Sequence, residues 1–282
     1  MRKAPVGEGK TRRAGVGAET PGDARGGTFT VEGQVIAARP LQPGLYVVAT
    51  PIGNLADTTL RALQTLAAAD IVACEDTRVT AVLLRHFGIA VRLVAYHDHN
   101  AERQRPKLMA ALAAGQSVAL ASDAGTPLVS DPGYRLVVDA AAAGHAVVPI
   151  PGASAVLAAL VAAGQPTDSF LFAGFLPPKT AARTKRLAEL AAVPATLVFF
   201  ESPQRLAASL ADMAAVLGAR DAAVARELTK AFETVRRATL SALAATYAEE
   251  ATPKGEIVVV VGPPGEEVMP EAEADALLRQ LL

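Results

Sequence analysis

From Leu45 onward, short apolar runs alternate with longer segments whose apolar residues recur at helical spacing. The apolar runs predict strands near residues 45–50, 71–74, 91–95, 117–121 and 146–150. Helices are predicted between them, near residues 56–68, 78–87, 101–114 and 134–143. Strands that alternate with helices at this spacing are typical of a parallel sheet with helices on both faces.

The pattern changes after about residue 150. A predicted helix over 153–163 is followed by strands near 169–174, 196–201, 222–226, 232–238 and 256–261. Helices are predicted near 180–192, 203–217 and 240–249. The strands near 222–226 and 232–238 follow each other across a short turn and predict a hairpin, which makes this second sheet mixed. We therefore predict an α/β chain with a parallel-sheet domain over 41–150, a mixed-sheet domain over 151–265 and a tail over 266–282.

The first forty residues differ from the rest of the chain. They are rich in Gly, Arg, Lys, Thr and Pro, show little hydrophobic period, and carry seven basic and four acidic residues. We predict a disordered basic arm over residues 1–40. The sequence leaves two alternatives for this arm: it contacts RNA, or it has no role.

Composition limits the class of protein. A chain of 282 residues suits one or two domains, and its formal charge of −1 provides no global electrostatic case for nucleic acid. The single cysteine, Cys74, lies in an apolar run, allows no internal disulfide and fits a reducing cytoplasm. No unbroken apolar stretch of about 18 residues is present, so a soluble, cytoplasmic protein is expected.

Two loops carry the strongest indication of a ligand site. The segment from Ser122 to Gly133 holds two prolines, two glycines and several small polar or acidic residues directly after a buried strand. The segment from Thr50 to Leu55 is the first turn from strand to helix and contains Pro51 and Gly53. Ligands bind at the carboxyl ends of strands in open α/β sheets, and a plain connection needs only about two to six residues.

A third loop, from Pro149 to Ala155, ends a strand and opens a helix. The first helical turn leaves main-chain N–H groups without partners, which suits a carboxylate or ribose oxygens near Ser154 and Ala155. Ser154 is open to two interpretations, a simple helix cap or a ligand contact.

Polar clusters follow two further strands. Glu75, Asp76 and Arg78 could orient a substrate, or Asp76 could simply cap the next helix. His97 and His99 could ligate a metal, but no third ligand stands at a recognisable spacing, so we expect hydrogen bonding in a cleft and no metal.

Several motifs occur in order along residues 43–262 and together resemble a known family, the small-subunit ribosomal RNA methyltransferases I of the tetrapyrrole methylase superfamily. They begin with Thr50-Pro51-Ile52-Gly53-Asn54-Leu55, Glu75-Asp76-Thr77-Arg78, Ser122-Asp123-Ala124-Gly125-Thr126-Pro127 and Ser130-Asp131-Pro132-Gly133. They continue with Pro151-Gly152-Ala153-Ser154, Phe200-Glu201-Ser202-Pro203, Arg226-Glu227-Leu228-Thr229-Lys230 and Lys254-Gly255-Glu256.

The resemblance implies a fold and a reaction. The fold is the two-domain tetrapyrrole methylase (class III methyltransferase) fold, usually a homodimer, with S-adenosylmethionine held in the cleft between domains. The implied reaction methylates the ribose 2′-oxygen of a decoding-centre cytidine of 16S rRNA, nucleotide 1402 in the standard numbering. The implied substrate is the assembled small ribosomal subunit.

The resemblance also implies site residues, and two rival functions stay open beside it. The residues expected to bind the cofactor are Pro51, Gly53, Asp123, Gly125, Thr126, Val129, Ser130, Ser154 and Ala155. A base would assist attack by a ribose hydroxyl, and the candidates are Glu75, Asp76 and His97, while Arg78 and Lys230 would hold phosphates. The rivals are a methyltransferase acting on a tetrapyrrole and a non-catalytic ribosome-assembly factor.

Overall fold

A computed structural model describes residues 27–130 and 132–265 of the chain. Its first sheet contains five parallel strands in the order β5-β4-β6-β3-β7. These strands are β3 (Gly44–Val48), β4 (Ile71–Cys74), β5 (Leu93–Ala95), β6 (Ser117–Ala121) and β7 (Val147–Ile150). The helices between them are α1 (Leu60–Ala68), α2 (Thr77–His86), α3 (Ala101–Ala113) and α4 (Tyr134–Ala142).

Apolar clusters cover both faces of this sheet, as the unbroken apolar runs predict. Gly88, Gly115 and Gly144 lie just past α2, α3 and α4 with φ of 63°, 77° and 78°. This left-handed conformation suits glycine, so the predicted helix ends are confirmed. Cys74 is buried in the sheet, and burial raises the pKa of its thiol.

The second sheet is mixed and has the order β11-β10-β12-β9-β8. Its strands are β8 (Phe170–Phe175), β9 (Thr196–Glu201), β10 (Asp221–Arg226), β11 (Thr234–Thr239) and β12 (Ile257–Val261). The strands β8 and β9 are parallel, and the other pairs are antiparallel, including the predicted hairpin of β10 and β11. The helices are α5 (Ala155–Ala163), α6 (Thr180–Leu190), α7 (Leu206–Leu217) and α8 (Leu240–Glu249).

The helices of the second unit cover its sheet on two sides. One apolar cluster joins α6, α7 and α8 to the sheet, and another joins α5 to β10 and β12. The second cluster also takes in Ile52 from the first turn of the chain's parallel sheet, so the two units share packed side chains. The domain limits at residues 41, 151 and 265 stay predictions.

The prediction of disorder throughout the first forty residues is wrong for residues 28–37. These form a hairpin of β1 (Thr28–Val31) and β2 (Gln34–Ala37), closed by Glu32 and Gly33 at positive φ. Phe29 is 3% exposed and joins the core beneath α1, and Thr30 donates to the carbonyl of Phe87 over 2.8 Å. Long-range packing of one aromatic residue thus orders a polar segment. Residues 1–26 of the arm and the tail over 266–282 lie outside the described residues.

Candidate active site

The loops singled out in the sequence meet at one edge of the parallel sheet. Parallel pairing places the carboxyl ends of β3, β4, β5, β6 and β7 side by side. The segments after these strands therefore line up in the strand order, from His97 through Asp76, Asp123 and Pro51 to Pro151. Within this sheet the chain winds in one direction from β3 to β5 and in the opposite direction from β5 to β7, and α/β sheets bind ligands where the winding direction changes.

The long loop after β6 is held against the first loop of the chain. The main chains of Thr50 and Gly125 exchange two hydrogen bonds, of 2.9 and 3.0 Å. The Thr50 hydroxyl donates to the Ser122 carbonyl over 2.9 Å, and the Thr126 hydroxyl donates to the Ala153 carbonyl over 3.3 Å. Three loops from distant parts of the sequence are thus joined into one wall.

The same loop contains strained backbone. Leu128 and Ser130 have φ of 73° and 64°, in the left-handed region that residues with a side chain rarely adopt. Each such residue costs about 1–3 kcal/mol, and they concentrate at functional sites. Asp131, which follows them, lies outside the described residues.

A first cavity of about 390 Å³ opens between the two sheets. The predicted cofactor residues that line it are Gly125, Thr126, Val129, Ser130, Ser154 and Ala155. Its position at the start of α5 places the first-turn amides of that helix at the cavity wall, and the Ser154 hydroxyl caps the helix by accepting from the Leu157 N–H. The cap interpretation of Ser154 is confirmed, and its role toward a ligand stays a prediction.

The second sheet supplies lining residues that the site prediction missed. The remaining wall consists of Ile52, Ala124, Val156, Phe175, Phe200, Glu201, Ser202, Pro203, Gly255, Glu256, Ile257 and Val258. Antiparallel pairing of β9 with β12 places Glu201 opposite Ile257 and joins the two segments. The motifs at 200–203 and 254–256 are part of the family resemblance, and they are the feature of the sequence from which this part of the wall could have been predicted.

Glu201 has a structural role at this wall. Its side chain is fully buried and accepts hydrogen bonds from the Ser202 main chain (2.7 Å), Arg205 Nε (2.8 Å) and Ser209 Oγ (2.5 Å). Arg205 also donates to the carbonyl of Leu176 over 3.1 Å. These donors meet the hydrogen-bonding needs of the buried carboxylate. Glu201 therefore holds the Ser202–Pro203 turn against the cavity.

A second cavity of about 360 Å³ adjoins the first. Its lining includes four residues from the predicted site: Pro51, Gly53, Asp123 and Lys230. The other lining residues are Thr50, Ile52, Leu55, Val79, Thr80, Val82, Leu83, Ser122, Ala124 and Glu256. Pro51, Gly53 and Asp123, predicted to bind the cofactor, thus line the second cavity, and their role toward the cofactor stays a prediction.

Lys230 is the centre of a charged cluster in the second cavity. Its Nζ lies 2.8 Å from Glu227 Oε1 and 3.1 Å from Glu256 Oε2. Burial disfavours the charged form of Lys230, but these two hydrogen bonds outweigh that effect and its pKa lies above the ordinary value. The same lysine, followed by the main-chain N–H of Glu256, lowers the pKa of Glu227. Lys230 is therefore a cation at neutral pH, held between two carboxylates at the cavity wall.

The cluster depends on two glycines at close approaches. Gly53 has φ of +145°, and a Cβ there would lie 2.5 Å from Cε and Cγ of Lys230. Gly255 has φ of +97°, and a Cβ there would overlap the Glu227 carboxyl group. Any larger side chain at either position would displace the charged groups of the cavity.

Glu75, Asp76 and Arg78 line neither cavity. Asp76 caps α2 by accepting from the Arg78 main chain over 2.8 Å, and its carboxylate also pairs with the Arg78 guanidinium at 2.6 Å. The Arg78 side chain and main chain lower the pKa of Asp76 to about 2, which makes Asp76 a weak base. Asp76 instead donates its main-chain N–H to Asp123 Oδ1 over 3.0 Å and so supports a lining residue.

His97 also lies outside the two cavities. Asn100 Oδ1 accepts from the His97 main chain, and Asn100 Nδ2 donates to the Ala95 carbonyl. The side-chain amide nitrogen of Asn100 also lies 3.1 Å from His97 Nε2, so Asn100 holds the His97 ring in place. Within residues 27–130 and 132–265, no group of three or more His, Cys, Asp or Glu residues is placed to hold a metal ion.

Comparison with known proteins identifies the family. Residues 44–244 match the family described as Tetrapyrrole (Corrin/Porphyrin) Methylases. A protein of Mesorhizobium japonicum named ribosomal RNA small subunit methyltransferase I is 66% identical, over 87% of this chain and 84% of its own length. A protein of the same name from Halalkalibacterium halodurans is 52% identical, over 80% and 78%.

Solved structures share the fold. Uroporphyrin-III C-methyltransferase from Thermus thermophilus, complexed with S-adenosylhomocysteine, aligns over 78% of this chain and 97% of its own with a TM-score of 0.54 and 21% identity. The bound molecule there is what S-adenosylmethionine becomes after it loses its methyl group, in agreement with the predicted cofactor. No helix in the described part of this chain is long and apolar enough to cross a membrane. The chain belongs to the ribosomal RNA small subunit methyltransferase I family, within the tetrapyrrole methylases.

Proposed function

We propose that this protein transfers a methyl group from S-adenosylmethionine to the ribose 2′-oxygen of a decoding-centre cytidine of 16S rRNA, nucleotide 1402, in the assembled small ribosomal subunit. The observation that carries the proposal is the pair of adjoining cavities at the loop edge of the sheet, the second of which is lined by the Lys230 cation. Methyl transfer needs two ligands whose reacting atoms meet in line, and two cavities with a shared wall provide that arrangement.

The first cavity fits the cofactor. Phe175 and Phe200 form an apolar wall with ring centroids 5.6 Å apart, suited to an adenine ring. The amides in the first turn of α5 and the Ser154 hydroxyl suit ribose or carboxylate oxygens. Gly125 leaves room near Ile52, where a Cβ would lie 3.2 Å from Ile52 Cγ2. When bound, S-adenosylmethionine supplies a methyl group made electrophilic by its sulfonium.

The second cavity fits a nucleotide of RNA. Lys230 presents a cation for a phosphate oxygen, and its stem lies on Gly53 so that the ammonium is held in one place. The chain as a whole is nearly neutral, so its net charge does not attract it to RNA. Recognition therefore rests on the shape of the ribosomal subunit and on local contacts.

A tetrapyrrole acceptor is the second candidate, because the matching family is described by tetrapyrrole substrates and the structural neighbour acts on uroporphyrin-III. The neighbour is 21% identical, whereas the relatives named for ribosomal RNA are 52% and 66% identical. The ribosomal substrate is therefore the better supported of the two. The predicted homodimer and cytoplasmic location also remain predictions.

The test is methyl transfer from radiolabelled S-adenosylmethionine to purified small subunits that lack the modification. Nuclease mapping then locates the label, and a porphyrinoid serves as the competing acceptor. We expect label on the 2′-oxygen of the decoding-centre cytidine and none on the porphyrinoid. Cofactor binding without any labelled ribose would contradict the proposal.

A further inference from the structure

Glu256 lies on the wall that the two cavities share. Among the described residues, three line both cavities: Ile52, Ala124 and Glu256. Ile52 and Ala124 carry no group that exchanges protons. Glu256 is thus the ionisable side chain on the shared wall, where a group from one cavity meets a group from the other.

The contacts of Glu256 orient its carboxylate without burying it. Its main-chain N–H donates to Glu227 Oε1 over 3.0 Å, and its Oε2 lies 3.1 Å from Lys230 Nζ. The side chain is 71% exposed, so a substrate can reach it. Gly255 makes this possible, since a side chain there would overlap Glu227 and disturb the cluster.

We propose that Glu256 is the catalytic base that takes the proton from the ribose hydroxyl, an inference that rests on the proposed function. The ribose O–H bond breaks and its proton passes to a carboxylate oxygen of Glu256. The ribose oxygen forms a bond to the methyl carbon, and the bond between that carbon and the sulfonium sulfur breaks. The products are the 2′-O-methyl ribose, S-adenosylhomocysteine and protonated Glu256, so atoms and charge balance.

The other acidic groups at this edge are less suited to the role. Asp76 is paired with Arg78, has a pKa of about 2 and lies outside both cavities. Asp123 lines only the second cavity and accepts from the Asp76 main chain. Glu227 shares its Oε1 between Lys230 and the main chain of Glu256, and it lines neither cavity.

The test is the single-turnover rate of Glu256→Gln on unmodified small subunits across a range of pH. Glutamine keeps the length of the side chain, an oxygen for Lys230 and the main-chain donor to Glu227, and it loses the ability to take a proton. We expect the rate to fall about 10²- to 10⁴-fold and the acid limb of the wild-type pH profile to disappear. Cofactor affinity, measured by calorimetry, is expected to stay within about threefold, which is the size of change we treat as neutral.

The matched control is Glu250→Gln. Glu250 is another exposed glutamate in an ion pair, with Arg236 at 2.7 Å, and it lines neither cavity, so its loss is expected to leave the rate unchanged. If Glu256→Gln does not bind the cofactor, Glu256→Asp decides: a retained acid limb supports the inference and its loss overturns it.

The outcomes separate the two proposals. A wild-type protein that binds the cofactor and labels no ribose contradicts the proposed function. A wild-type protein that labels the ribose, with Glu256→Gln within threefold of its rate or with an unchanged acid limb, overturns the role of Glu256 and leaves the proposed function standing.

Discussion

Two carboxylate–cation groups at the loop edge of this protein show how differently similar residues can act. Asp76 and Arg78 are two positions apart, belong to the start of one helix and face away from both cavities. Glu227 and Lys230 come from the turn between β10 and β11, and Glu256 joins them from the residue before β12. The first group stabilises a helix end, and the second places Lys230 and Glu256 on the wall of a cavity. Proximity in sequence favours capping, whereas a site requires groups brought together by the fold.

After Glu256→Gln, the largest effect is expected from removing the cation of the second group. Lys230→Met keeps a long apolar stem over Gly53 and removes the ammonium that pairs with Glu227 and Glu256. Loss of a positioned electrostatic contact at an active site costs about 10²- to 10³-fold in rate. We expect that loss in single-turnover methyl transfer, with cofactor affinity unchanged. Lys107→Met, on α3 and outside both cavities, is the control and is expected to keep the wild-type rate.

An intermediate effect is expected from two glycines that each line one of the cavities. Gly125 lines the first cavity with φ of +82°, and Gly53 lines the second with φ of +145°. Alanine at either site adds strain of about 1–3 kcal/mol, which shifts the loop away from the conformation that binds the ligand, and 1.4 kcal/mol lost in binding corresponds to about tenfold in affinity. Gly125→Ala is expected to weaken S-adenosylmethionine about tenfold in calorimetry.

Gly53→Ala, by contrast, is expected to leave cofactor affinity unchanged and to raise the KM for the ribosomal subunit, because its Cβ would push the Lys230 stem aside. Equal loss of cofactor affinity in both variants would show that the two cavities act as one ligand site.

A small effect is expected from the first carboxylate group. Asp76→Asn keeps a side chain that can cap α2 and removes the pair with Arg78. Turnover on small subunits is expected to stay within about threefold of wild type, given that surface pairs contribute little. A turnover that is lower by a hundredfold or more would indicate that Asp76 is the base.

The pH dependence of stability gives the smallest effect. The pKa of Asp76 is lowered to about 2 in the folded protein, below the value of about 3.9 for an unfolded chain. The stabilisation by ionised Asp76 is therefore fully present above about pH 4 and is lost as the pH falls through about 2. We expect the small difference in Tm between wild type and Asp76→Asn to shrink over that range. A difference that is constant down to pH 2 would contradict this account.

Much of the fold could be predicted from local patterns. The apolar runs at 71–74 and 117–121 match β4 and β6 in full, because strands buried on both faces leave an unbroken apolar signature. The hairpin at 28–37 could not be predicted in this way, since its order depends on Phe29 reaching the core beneath α1. Helix starts also shifted, as α1 begins at Leu60 after a separate turn at Leu55–Asp57.

The candidate site, like the fold, could be predicted from the sequence only in part. The sequence by itself determined which loops end the parallel strands, and with them Gly125, Thr126 and Ser154 at the first cavity, because strand order along the chain and the rule for α/β sheets require no knowledge of packing. Only the tertiary structure decided that Lys230 and Glu256 share the second cavity, that Asp76 caps a helix, and that Glu201 is buried in a structural network. The placement of Lys230 and Glu256 depends on contacts between residues far apart in the sequence, 26 positions for Lys230 and Glu256 and 29 for Glu227 and Glu256, and antiparallel pairing of β10 with β12 sets those contacts. A side chain's chemistry is readable in the sequence, but what it faces follows from the register of strands and the packing of loops.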